Sequence, residues 1–319
     1  LSGKFVTRYD IVPGFAIRGG VNSGFRAPSL GQTGFSTTQN TATIIGSERV
    51  RTTSKFLAVD SQAAQALGAE PLKPEKSLSY TAGATLELGR IFRLTVDGYV
   101  THVKDRIVKS DFIGTTNNGG TAVADRLRSN GINDVDSAQF FFNGLDTSTR
   151  GLDIVTELTL KDQALGTFRP SAAFSFAKTV LDEVARTPSE LANLNVTLIG
   201  RQVRSDITQG APATKLVLGA NWAIWRFKTD LRLTNYGSYW EASTTAGNDR
   251  RFSGKWITDL DVGFGLTDNV TLSVGAYNLF DVYPDKNGII GNEGSGQYGS
   301  FAPFGLSGGF YYARVGVNI

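Results

Sequence analysis

Apolar and polar side chains alternate with a period of two along most of this chain. The clearest case is Phe310–Ile319, where Tyr311, Ala313, Val315, Val317 and Ile319 alternate with Tyr312, Arg314, Gly316 and Asn318. That period places the two sets on opposite faces of a strand. The same rule predicts a hairpin from Leu1–Asp10 and Gly14–Arg26 about Ile11-Val-Pro-Gly14, where proline presets φ and glycine admits positive φ. On its second arm Phe15, Ile17, Val21 and Phe25 oppose Arg18, Asn22 and Arg26. Leu78–Leu88 and Phe92–Val100 pair about Gly89-Arg90, and Leu152–Leu160 pairs with Phe168–Thr179 about Lys161–Gly166. Leu216–Trp222 with Phe227–Leu233, and Leu260–Leu266 with Val270–Ala276 about Thr267-Asp-Asn269, repeat the design. With the closing strand, about eleven strands are expected.

The polar face is too charged for a sandwich core. Arg18, Arg26, Arg93, Lys215, Arg226, Lys228, Arg232, Lys255 and Arg314 stand against Glu87, Asp97, Asp153, Glu157, Asp230, Asp259 and Asp261. Unpaired charge in a dry interior is expensive, so this face needs water or a charged filling. The connections are also asymmetric. Short turns alternate with the long segments Ala27–Lys76, Asp111–Thr147, Val180–Ala213, Trp240–Gly254 and Asp281–Gly308, all rich in Gly, Thr, Ser and Asn. Tight turns at one end and long loops at the other mark an antiparallel transmembrane β-barrel, whereas soluble domains seldom carry so many long loops on one side.

Composition narrows the choice. No stretch approaches the roughly 18 consecutive apolar residues of a membrane helix, so membrane insertion must use strands. The 32 basic and 29 acidic residues leave a net charge of +3 and are dispersed, which is not the footprint of a nucleic-acid partner. Cysteine is absent, which excludes a disulfide scaffold, and there is one histidine, so neither a protein-bound metal nor a cofactor is expected. Methionine is absent even at position 1 and no signal peptide precedes Gly3, so a mature or internal piece is expected.

Five segments carry a resemblance to a known family. Val21-Asn-Ser-Gly-Phe-Arg-Ala-Pro-Ser-Leu30 resembles a strand end of TonB-dependent outer-membrane receptors. So do Leu72-Lys-Pro-Glu-Lys-Ser77, Asp97-Gly-Tyr99 with Lys104-Asp-Arg-Ile107, Phe141-Phe-Asn143 with Thr149-Arg-Gly-Leu-Asp153, and Tyr277-Asn-Leu-Phe-Asp281. The resemblance implies a 22-stranded barrel around an N-terminal plug. Residues 1–319 are then expected to form its C-terminal half, with the plug, the TonB-binding box and the first strands outside them and with Ile319 where many members end in an aromatic residue. The implied partners are the missing plug and strands, TonB acting through that plug, outer-membrane lipid and a nutrient ligand. The implied activity is energy-coupled import of a scarce nutrient, foremost a ferric siderophore arriving already chelated, at the bacterial outer membrane.

Within that frame the loops supply candidate ligand residues. Phe140, Phe141, Phe142, Tyr239, Trp240, Tyr298, Phe301 and Phe304 could grip an aromatic siderophore, a sugar or a corrinoid, although each alone also suits an interfacial girdle or loop packing. Arg18, Arg26, Arg232 and Arg314 are expected to face the lumen, toward the plug or an anionic ligand. Asp60–Gly68 and Thr121–Gly131 read as short helices ornamenting the loops. Gly294–Gly299 fits a dinucleotide glycine pattern but lies in a long loop with no helix after it. His102 is placed at the outer rim. Three function classes remain: active uptake, a passive porin, and an outer-membrane hydrolase built on His102, with vitamin B12 and oligosaccharides as further substrates. No enzyme activity is expected.

Overall fold

The computed structural model describes residues 2–45, 48–243, 246–288 and 296–318. Eleven strands follow one another in an antiparallel sheet: β1 (Gly3–Val12), β2 (Phe15–Arg26), β5 (Glu75–Leu88), β6 (Phe92–Lys109), β7 (Ser137–Leu158), β9 (Gly166–Val184), β10 (Thr214–Ile224), β11 (Phe227–Tyr236), β14 (Lys255–Gly265), β15 (Val270–Tyr277) and β16 (Phe310–Val317). The eleven expected strands and their hairpin order are therefore present. The short strand β8 (Leu160–Asp162) continues β7 against β9. Two hairpins lie off this path, β3 (Thr37–Ile45) with β4 (Glu48–Leu57) and β12 (Tyr239–Glu241) with β13 (Arg250–Phe252).

Register converts the period of two into two continuous surfaces. Tyr9, Ile17, Ala84, Val96, Ile154, Phe174 and Leu216 are successive cross-strand partners, as are Ala220, Leu231, Leu260, Ala276 and Tyr311. One residue along from the first of these rows, on the opposite face, runs Arg18, Gly83, Asp97, Asp153, Ser175, Lys215, Tyr236 and Lys255. Near the short turns Trp225, Phe227 and Phe264 cluster with ring centroids 4.7–6.3 Å apart, an aromatic girdle of the sort found at a membrane boundary. Glycine makes room on the polar face. A side chain at Gly151 or Gly275 would collide with the rings of Tyr99 and Tyr312, which lie flat over them.

The buried core lies elsewhere. β6 has 18 residues and β7 has 22, against 8 in β15 and β16, so these two strands project well past the roughly 9–11 residues that cross a bilayer. Their overhang carries a folded cap. Its core holds Leu57, Leu67, Val108, Ile113, Val123, Leu127, Phe140, Leu191, Leu198 and Val203. α2 (Gln62–Ala66), with its C-cap Leu67, and α3 (Gly120–Ser129) supply Ala64, Leu67, Val123 and Leu127, which makes them core elements and not ornaments. The expected helix starts also shift: Ser61 caps α2, accepting from Ala64 N at 3.2 Å, and Gly119 is the cap of α3.

Several elements were not legible. α1 (Leu30–Gly34) opens on a capping box between Ser29 and Gln32, and α4 (Arg201–Thr208) lies in the connection before β10. β4 pairs in parallel with the overhang of β7, Ser54–Leu57 against Ser137–Phe140. The loop expected over Asp111–Thr147 therefore ends at Ser137, because β7 extends to meet this partner. That over Val180–Ala213 begins after Val184.

Candidate ligand site at the barrel mouth

Four of the five signature segments converge on one clasp where the long loops leave the sheet. Arg26 donates to Glu75 through Nε (2.8 Å) and Nη2 (2.6 Å), and Glu75 also accepts the Ile107 amide at 2.8 Å. Asn143 reads two backbones at once: its Nδ2 donates to Lys73 O (2.9 Å) and Asp105 O (2.6 Å), while its Oδ1 accepts from Lys73 N (2.8 Å). Asp105 sits at φ 56° in a break of the β6–β7 register. The fifth segment is a strand exit. Asn278 adopts φ 53°, a conformation asparagine tolerates, and its amide exchanges hydrogen bonds with Val282 at 2.8 and 2.9 Å. These motifs hold the loops in place and do not themselves form a ligand pocket.

The described parts of loop 278–309 meet the polar face through Asp285 and Phe304. Asp285 accepts from Lys255 Nζ at 2.6 Å and from the Ser253 amide and hydroxyl at 2.6 and 2.5 Å. Burial pushes its pKa upward, but Lys255 and Ser253 outweigh that and hold it down at about 2. Phe304 stacks on Tyr236 at 5.8 Å, Lys215 lies 5.1 Å above the same ring, and Tyr298 stacks on Tyr283 at 6.0 Å. The result is a polar and aromatic lip over the sheet's charged face.

The aromatic candidates separate into different surroundings. Phe140 is 1% exposed and fills the cap core. Phe142 packs against that core, with its ring 6.2 Å from Phe140, and Phe141 stands 5.0 Å from Phe56. All three lie on β7, not in a loop. Tyr239 is 3% exposed and stacks on Phe252 at 4.8 Å; its hydroxyl has no hydrogen-bond partner among the described residues, and burial with the Glu241 and Asp285 charges raises its pKa to about 12. Trp240 and Phe301 remain 42% and 39% exposed, so with Tyr298 and Phe304 they form the accessible part of the set.

The four arginines lie on the polar face. Arg18 pairs with Asp97 across the space that Gly83 leaves, Arg26 with Glu75, and Arg314 with Asp261 at 3.4 Å. Arg232 has no ion pair among the described residues and stands opposite Asp259 in the register. With Asp230, Asp261 and Tyr312 it lines a shallow depression, and Tyr312 Oη donates to Asp261 at 2.7 Å. Three of these four lumen-side cations thus have a wall carboxylate as partner.

His102 does not form a Ser–His–Asp arrangement. Its Nδ1 is 2.7 Å from Ser148 Oγ, and that hydroxyl donates to Asp182, so serine and not histidine is the central member. Its partners Leu78 and Ser148 place it on the apolar face, beyond the apolar band. Of the glycine-rich pattern, Gly294 and Ser295 lie outside the described residues, as does Ile319.

Two loop carboxylates escaped sequence reasoning because their environment is entirely tertiary. Asp111 accepts from the Gly200 and Val203 amides at the start of α4, which has no side-chain cap of its own. Burial raises Asp206 on α4 to about 6; Lys109 opposes the shift, while Glu241 and Asp111 add to it.

An eleven-strand sheet with one apolar and one charged face, girdled by aromatics and capped by long loops at one end, defines the wall of an outer-membrane β-barrel. The chain belongs to the TonB dependent receptor-like β-barrel family, whose model matches residues 1–279. Among solved structures it is similar to a ferric enterobactin receptor (PfeA) mutant from Pseudomonas aeruginosa, at 15% identity and TM-score 0.61 over 99% of this chain and 40% of that one. The siderophore receptor PirA from Acinetobacter baumannii gives 16% and 0.59, and the copper transporter OprC 14% and 0.57, each over 99% of this chain and 40% of the other. The chain thus spans about two fifths of the length of the structures it matches. No curated protein sequence matches it. The apolar face is accordingly the lipid face, the charged face lines the lumen, and the protein resides in the bacterial outer membrane.

Proposed function

We propose that this chain forms about half of the wall of an active outer-membrane transporter, which captures a scarce nutrient in its extracellular loops and imports it with TonB-transduced energy. The remaining strands and the plug complete it, since β1 and β16 each have one sheet edge without a partner among the described residues and open edges in lipid are costly. The observation that carries the reading is the lip over the lumen, where Asp285 and Phe304 of one loop are fastened to Lys255 and Tyr236 of the wall. A mobile ligand taken up there meets aromatic faces and both signs of charge. Ferric siderophore is the leading cargo, in keeping with the siderophore receptors among its structural neighbours. Copper, which appears in the name of one neighbour, suits this stretch poorly as an unchelated ion, because it contains no Cys or Met and one His. Uptake of radiolabelled ferric siderophore by iron-starved cells tests the proposal. Deletion of the gene, or of the energy-transducing TonB, is expected to abolish uptake; uptake that persists without TonB identifies a passive porin instead.

A further inference from the structure

Two pairs of like charges face lipid at the extracellular edge of the apolar band. Lys76 and Lys104 are direct cross-strand partners on β5 and β6, and Arg150 and Lys178 on β7 and β9. The register makes Tyr80, Val100, Arg150 and Lys178 one outward row, and Leu78, His102, Ser148 and Val180 the next toward the loops. The row on the other side, Ala82, Gly98, Leu152 and Phe176, carries no charge. These cations therefore begin where the hydrocarbon ends, at the depth of the lipid headgroups.

Directly opposed cations lie roughly 5 Å apart at Cβ and destabilise a sheet unless something neutralises them. Lys104, Arg150 and Lys178 make no ion pair or hydrogen bond among the described residues. Lys76 lies 3.9 Å from Asp105, and Asp182 is engaged by the Ser148 hydroxyl. Lumen cations of the same sheet are treated differently: Arg18, Arg26 and Arg314 each have a carboxylate from the wall. We propose that Arg150 and Lys178, with Lys76 and Lys104 two outward rows further toward the loops, bind the phosphate groups of lipid headgroups in the leaflet on the long-loop side. An arginine fork and neighbouring ammonium groups match phosphate oxygens, and one polyanionic headgroup removes the repulsion within each pair.

The complete receptor, purified in neutral detergent, is to be titrated with micelles containing bisphosphorylated lipid A or the same lipid stripped of its phosphates, with binding read by native mass spectrometry. The phosphorylated lipid is expected to bind about tenfold more tightly, and R150Q/K178Q and K76Q/K104Q each to lose about that factor. K161Q, at the opposite turn, should bind as the parent does. Equal binding of both lipids, or parent affinity in R150Q/K178Q, overturns the proposal; displacement of the lipid by millimolar inorganic phosphate overturns the lipid assignment in favour of a free anion. If a double variant does not run as a heat-resistant barrel, single R150Q and K178Q replace it, each expected to weaken binding about threefold.

Discussion

Replacing Phe140 with alanine should open the extracellular cap without opening the barrel. Phe140 is 1% exposed and stands among Leu57, Ile113, Ala138 and Leu145 on the part of β7 that overhangs the membrane. Truncating so buried a phenylalanine costs about 3–5 kcal/mol, lost transfer energy and residual cavity together. Phe140 contributes nothing to the lipid-facing sheet, so the loss falls on the local opening equilibrium of the cap, which rises by roughly 10²- to 10³-fold or more. Hydrogen exchange reads it directly. Ile113 and Ala138 exchange amide-to-carbonyl bonds at 2.8 Å in both directions inside the cap, whereas Val96 and Ile154 are partners in mid-membrane. Exchange at the first pair should accelerate by that factor while the second stays protected and the barrel keeps its heat-resistant migration in a gel. Unchanged protection at Ile113 and Ala138 would refute the cap as an independently cored unit, and loss of barrel heat resistance would refute its separation from the wall.

Three other outcomes follow from the same geometry. Val96→Arg, on the lipid face, should cost about 2–4 kcal/mol of folding free energy in lipid vesicles, whereas Thr95→Arg, one residue away on the lumen face, should cost little; equal costs would show the faces to be misassigned. Asp206 titrates near 6, above its unfolded value of 3.8, so its charged form destabilises α4 above that range and the penalty disappears as pH falls from about 6 to 4. Because the residue keeps solvent contact, screening limits the effect to about 1 kcal/mol. Asp206→Asn should slow exchange around α4 at pH 7.5 and abolish its pH dependence between 4 and 6. Asp285 has a depressed pKa of about 2, so its bond to the lip is complete above the ordinary carboxylate range and is lost as pH falls toward 2. Lys255→Ala should release loop 278–309 even at neutral pH, seen as faster proteolysis within it, and an unchanged cleavage rate would exclude this ion pair as the tether.

The barrel was legible because its signal is local. Each strand's lipid and lumen faces can be read from two-residue alternation, as at Leu78–Leu88, and each short turn from the chemistry of residues such as Pro13-Gly14. The cap was not legible, since Thr37–Leu57 is rich in Thr, Ser and Asn and lacks an apolar alternation, so nothing marks β3 and β4 until β4 finds β7. Phe140 illustrates the same limit. Among three consecutive phenylalanines, sequence does not say which one points into a core that segments near 57, 67, 123 and 191 build together.

The alternation by itself thus determined a one-face-apolar, one-face-charged wall of about eleven strands, because side-chain direction in a strand depends only on parity. Pairing across strands was decided by the tertiary structure. It joined Arg18 to Asp97 over Gly83, gathered Arg26, Glu75, Lys73 and Asn143 into one clasp, and set Arg150 against Lys178 at the membrane edge. Such neighbours are fixed by register and stagger between segments up to 79 residues apart, and a single strand carries no record of either.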